Sequence, residues 1–249
     1  MALKIATVPA APLLVPEVAA GAAPELAELR EAAREAVRAL REGSPEALVV
    51  VGAAADRSAR GVFPPGSPGS FRPFGVDRGV RLGGAETPPD ARVLPRSLAV
   101  GAWLVADAGW AEAPAVGLAV GPSASPERCL QAGRELVEDV YAGQDLAVLV
   151  LADGSACRTL KAPGYLDPRA EGYDAALAAA LAAADADALA ALDPGLSAEL
   201  QAEGRAPWQV AAGAAQAHAK AAGAQDALTG RLLREEAPYG VGYFVSLWS

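Results

Sequence analysis

The stretch "PELAELREAAREAVRALREGSPEALVVVGAA" (residues 24–54) switches period once, and that switch decides the fold. Leu26, Leu29, Ala33, Val37 and Leu40 recur at helical spacing and draw one apolar stripe. Pro24 suits a first helical turn, Glu25 and Glu28 sit at the positive end of the helix dipole, Arg38 and Arg41 at the negative end, and Gly43 ends the run. From Ala47 the pattern becomes an unbroken, largely β-branched run, as expected of a strand covered on both faces. Upstream, Lys4 to Val8 has strand character, and Pro9 and Pro12 end it. Strand, helix, strand is a βαβ unit, so the sheet is expected to be at least partly parallel.

The alternation continues downstream. "SLAVGAWLVADAG" (97–109) reads as a helix and "AVGLAV" (115–120) as a strand. "SPERCLQAGRELVEDVYAG" (125–143) reads as a helix capped by Ser125, and "LAVLVLAD" (146–153) as a strand. Ala-rich helices are expected over 171–192 and 207–222, and "GVGYFVSLW" (240–248) as a last strand. The expectation is a single α/β domain over 1–249: a three-layer α/β/α sandwich with a central mixed, largely parallel sheet. One segment departs from the alternation. "RGVFPPGSPGSFRPFGVDRGVRL" (60–82) is rich in Gly and Pro, with Phe63, Phe71 and Phe74 interspersed. It reads either as an excursion pinned to the body by its phenylalanines or as a lid.

Composition narrows the function. At 52% hydrophobic residues the chain can bury a large core. Its net charge of -9 repels polyanions, so nucleic acid is not an expected partner. Prolines 9, 12 and 16 interrupt any signal-peptide core, and Asp185 and Asp187 interrupt the most apolar segment, so no membrane span is expected. The two cysteines, Cys129 and Cys157, make neither a disulfide framework nor a thiolate metal site. Together these point to the cytoplasm.

In a largely parallel sheet, ligands bind beyond the carboxyl ends of the strands. Those ends nominate Pro9 to Ala11, Gly52 to Arg57 and Asp153 to Arg158 as rim residues. Within "DGSACRTLK", Asp153, Ser155, Cys157, Arg158 and Lys161 are candidate ligand contacts, the cationic side chains suiting a carboxylate or phosphate. Cys157 would serve as a nucleophile only if Arg158 lowered its pKa, and Lys161 as an amine only if desolvated. Asp56, Arg57 and Arg60 follow the second strand and are expected to form ion pairs facing that loop. Arg205, with Trp208 as a core residue, and Tyr239 complete the candidates.

"VPAAPLLVPEV", "LVVVGAAADR", "LADGSACRTLKAPGYLDPRAEGYDAAL", "GRAPWQV" and "APYGVGYFVSLW" together resemble the class III extradiol ring-cleavage dioxygenases, specifically an actinobacterial branch. That superfamily includes the catalytic subunit of the protocatechuate ring-opening enzyme. The resemblance spans nearly the whole chain. It implies non-haem Fe(II) held by two histidines and a glutamate, with another histidine as acid/base. The first ligand position falls on Ala10, the second near Ala53 or Ala54, and the acid/base position on Ala156. No glutamate matches the third ligand; Glu199 and Glu203 lie nearby in sequence. A facial triad needs two imidazoles, and the chain has one histidine, His218, in a late helical segment. No cofactor or metal is therefore expected. The leading expectation is a dioxygenase-like protein that has lost iron chemistry and binds a small anionic or aromatic molecule, or regulates through it. The alternatives are a metal-free enzyme built on Asp153, Cys157 and Lys161, and a structural subunit whose homo-oligomeric surface is its product.

Overall fold

Each central strand is apolar on both sides because each side meets a different helical layer. The computed structural model describes residues 1–111, 113–222 and 227–249. β1 (Leu3–Val8) is followed by the short α1 (Pro16–Ala19), α2 (Ala27–Leu40), β2 (Ala47–Ala53) and β3 (Gly61–Phe63). A hairpin of β4 (Pro68–Ser70) and β5 (Gly79–Arg81) precedes α3 (Arg96–Asp107) and β6 (Ala115–Val120). α4 (Pro126–Glu135), β7 (Leu146–Leu151), α5 (Ala170–Ala183), α6 (Ala186–Ala190), α7 (Pro194–Glu199), α8 (Arg205–Ala222), β8 (Gly230–Glu236) and β9 (Tyr243–Trp248) complete the chain.

The main sheet runs β3-β6-β2-β7-β1-β9-β8. β6, β2, β7 and β1 are parallel; β3 and β9 run antiparallel to them at the two sides, and β8 pairs antiparallel with β9. Along β7, Ala147, Leu149 and Leu151 join the core beneath α2 and α3, and Leu146, Val148 and Val150 join the core beneath α4, α5 and α8. The result is the expected three-layer α/β/α sandwich with a mixed, largely parallel sheet. The stripe of α2 is buried at Leu29, Ala33, Val37 and Leu40; each large apolar side chain so buried contributes about 1.5–3 kcal/mol.

Local readings needed correction. α2 begins at Ala27, since Ala20 to Leu26, with Pro24 inside, winds as a tighter 3₁₀ run. The helix expected over 171–192 breaks at Ala184, which adopts left-handed backbone, and Asp185 then caps α6 by accepting from the Ala188 N–H. Ser125 stands at the start of α4 but makes no bond from its side chain to the helix backbone. The 60–82 segment supplies β3 to the main sheet and folds the rest into the β4–β5 hairpin. Phe63 and Phe71 are fully buried, Phe74 is exposed, and the Arg92 guanidinium sits 4.3 Å above the Phe63 ring. Two of its three phenylalanines thus pin the segment to the body. Among the described residues no helix is long and apolar enough to cross a membrane.

Candidate functional site

The carboxyl ends of β1, β2 and β7 converge as parallel pairing requires, and the turns that follow them carry the site. Ala10 is buried after β1, and its N–H donates to Asp153 Oδ1 at 2.9 Å, tying the first turn to the third. Beyond β2, Ala53 and Ala54 line a cleft of about 340 Å³ together with Ala55, Asp56, Ala59, Pro95, Arg96 and Glu203. Two helix starts place the charged members. Ser97, in the first turn of α3, donates to the Ala53 carbonyl at 2.7 Å and so holds Arg96 at the end of β2. The Gly204 N–H donates to the Asp153 carbonyl at 3.0 Å just before α8, which places Glu203 beside the end of β7. A β-carbon at Gly204 would lie 2.7 Å from the Trp208 ring, so only glycine lets α8 begin this close to the strand.

Arg96 and Glu203 form an ion pair across the mouth of the cleft, and both are exposed. Such a pair contributes only about 0–1 kcal/mol. Asp153 is partly buried behind it. Burial pushes its carboxyl up from the ordinary 3.8 to about 7, against the Ala10 N–H and the charge of Arg96, which favour the ionised form. Nearby Tyr243 is buried, and that burial, with the charge of Asp153, raises its phenol well above the usual range.

The loop richest in candidate chemistry is spent on structure. Asp174 of α5 is fully buried, and its Oδ1 accepts the Ser155 N–H at 2.8 Å. Its Oδ2 accepts the Ser155 hydroxyl at 2.8 Å and Arg158 Nη1 at 3.1 Å. Ser155 and Arg158 are therefore tethered inward. Cys157 is buried, with its Sγ 3.5 Å from the carbonyls of Gly164 and Leu200. Burial raises its pKa, and Asp167 and Asp174 raise it further, so the condition for a nucleophilic Cys157, a pKa lowered by Arg158, is not met; the Arg158 guanidinium is paired with Asp174. Lys161 is exposed, and Ala156 is buried with its N–H on the Leu200 carbonyl.

The other candidates scatter. Asp56 caps the turn Arg57–Ala59 by accepting the Ser58 N–H at 2.9 Å, which holds its pKa down. The ion pairs expected of Arg57 and Arg60 are not formed among the described residues. Arg60 instead donates to the Ala54 and Ala55 carbonyls, at 3.1 and 2.8 Å. Arg205 is buried and holds the turn after β6 through the carbonyls of Pro122 and Ala124, with Gln209 as its third partner. Tyr239 donates to Glu25 at 3.0 Å, away from the cleft. Trp208 is core, packed edge-on to Phe244 with centroids 6.1 Å apart. His218 is buried 13 residues along α8 from Arg205, about 20 Å at the helical rise. Arg96 escaped sequence reading because nothing in "LPRSLAV" separates it from an ordinary first-turn arginine.

These residues do not fit the iron centre that the resemblance implies. The positions that the resemblance assigns to imidazoles fall on alanine methyl groups, Ala10, Ala53 or Ala54, and Ala156, and Glu203 is paired with Arg96. Among the described residues no cluster of three or more His, Cys, Asp or Glu could hold a metal ion.

No protein-family profile matches the chain, and no curated protein matches it in sequence. Among solved structures it is similar to the uncharacterized protein JW3007 from Escherichia coli K12, with a TM-score of 0.53 and 14% identity over 98% of each chain. That likeness carries the α/β fold.

Proposed function

We propose that the protein is a small-molecule binder, with a regulatory or sequestering role, that retains the strand-end cleft of a dioxygenase-like fold without its iron chemistry. The supporting observation is Arg96, a guanidinium at the mouth of a cleft floored by alanines at the carboxyl ends of the strands. A small aromatic carboxylate suits that arrangement. Its ring would lie on Ala53, Ala54, Ala59 and Pro95, and its carboxylate would take Arg96 from Glu203, an exchange that sacrifices only an exposed ion pair. The volume of about 340 Å³ lies at the small end of the range for ligand sites.

Titration calorimetry with benzoate tests this reading. One saturable site is expected, weakened about tenfold in Arg96→Ala, the loss of one charge-assisted contact. Protein purified after supplying ferrous ion is expected to take up no oxygen with protocatechuate. Stoichiometric iron retention with ring cleavage would overturn the reading, as would benzoate affinity indifferent to Arg96→Ala.

A further inference from the structure

A second, larger cavity of about 800 Å³ opens beside the carboxyl end of β6. The segment 53–61 contributes to both cavities: Ala53 to Asp56 and Ala59 line the strand-end cleft, whereas Arg57, Arg60 and Gly61 line this one. The opposite wall is the turn Gly121–Ser125 and the first turns of α4, including Arg128 and Cys129. In a chain of net charge -9, the charged groups lining this space are Arg57, Arg60 and Arg128, with no carboxylate among the lining residues.

The three arginines are held in different ways. Arg60 is fixed from below, donating to the carbonyls of Ala54 and Ala55. Its guanidinium lies so close to Gly121 that a β-carbon there would sit 2.7 Å from Cζ. Arg57 and Arg128 are exposed at the mouth, and their guanidinium groups form no ion pair or hydrogen bond among the described residues. That sets them apart from Arg34, Arg72, Arg158, Arg169 and Arg234, each of which holds a carboxylate. The turn opposite is itself anchored, since buried Arg205 grips the carbonyls of Pro122 and Ala124. Between the arginines the walls are apolar, formed by Ala119, Val120, Ala124 and Ala132, with the hydroxyls of Ser123 and Ser125 as neutral polar groups. The dipole of α4 is not the basis of attraction, because Glu127 already occupies that helix end, bonded to its own N–H and to Ser125.

We propose that this cavity binds the phosphoryl group of a small phosphate monoester, with Arg57 and Arg128 taking its oxygens, Arg60 as the fixed positive floor, and the organic body against Ala119, Val120, Ala124 and Ala132. A phosphoryl dianion offers three acceptor oxygens to three guanidiniums, whereas a carboxylate offers two oxygens and one charge. The volume exceeds what inorganic phosphate fills, and the apolar walls provide for an organic substituent. This site is distinct from the strand-end cleft, whose lining sets two carboxylates, Asp56 and Glu203, against the single arginine Arg96.

Calorimetric titration with phenyl phosphate, inorganic phosphate and benzoate tests the assignment. Phenyl phosphate is expected to bind one site, more tightly than inorganic phosphate. Arg57→Ala and Arg128→Ala should each weaken it about tenfold, and the double variant about a hundredfold, in steps that shrink with added salt. Both side chains are exposed and unpaired, so the variants should melt with the wild type, and Arg96→Ala should leave phenyl phosphate binding unchanged. Absence of saturable phenyl phosphate binding overturns the proposal. So does undiminished binding by the folded double variant, or loss of binding in Arg96→Ala alone, which would put the ligand in the strand-end cleft. Equal affinity for inorganic and phenyl phosphate overturns the assignment of an organic body.

Discussion

Two loops leave the strands on either side of β2, at the same carboxyl end of the sheet, and dispose of their polar groups in opposite ways. The loop after β7, "DGSACRTLK", is crowded with reactive side chains, yet Ser155 and Arg158 are turned onto buried Asp174 and the Cys157 thiol onto backbone carbonyls. The turn after β6, "GPSAS", looks inert, yet with the segment after β2 it frames an open space where Arg57 and Arg128 have no partner among the described residues. Polar density in a sequence measures how many groups must be satisfied. Binding capacity belongs to those the fold leaves unsatisfied next to a cavity.

The contrast breaks most sharply at Asp174. Removing it strands the Ser155 N–H and hydroxyl in the interior and releases Arg158. Asp174→Ala should therefore cost about 3 kcal/mol or more in urea unfolding. A variant of wild-type stability would mean that this loop is not structurally spent.

Asp153 comes next. A carboxyl whose pKa rises on folding, here from 3.8 to about 7, takes up a proton as the chain folds. Its contribution to stability is full below about 4 and is lost as pH climbs through about 7. Asp153→Asn stays neutral and keeps an acceptor for the Ala10 N–H. Wild type should therefore lose about 2 kcal/mol relative to this variant between pH 4 and pH 8, the residual exposure of the carboxyl reducing the full effect. Parallel pH profiles for the two proteins would remove Asp153 from the list of perturbed groups. Smallest of all is Lys161→Ala. The side chain is exposed, so stability should change by less than about 0.5 kcal/mol and benzoate and phenyl phosphate affinities should not move. A lost affinity would return the β7 loop to the site.

The scaffold was legible wherever one period ran long enough to be unambiguous. β1, α2, β2, α3, β6, α4 and β7 follow from stripes and apolar runs that tertiary packing reinforces. β8 was not anticipated, because "GRLLREE" is a half-exposed edge strand whose register slips between Leu232 and Arg234, destroying the alternation. β3 hid in a Gly- and Pro-rich segment because only three residues pair. At the strand ends, the turns after β1 and β7 meet through the Ala10 N–H and Asp153. Which polar groups remain available was not legible, since the partner of Ser155 and Arg158 lies one helix later and looks like any other acidic residue of α5. Arg57 was singled out, but Arg128 sits inside a regular helical pattern, and only the fold shows that both border the same space.

The two rims of the main sheet have a consequence for how copies of this chain can associate. One rim ends in a strand of three residues, and the other carries Arg231, Arg234, Glu235 and Glu236 along its outermost strand. A second molecule laid against either rim would find too short a template or a row of charges to desolvate, so neither invites strand-by-strand growth into fibrils. Extension of the sheet across either rim is therefore disfavoured.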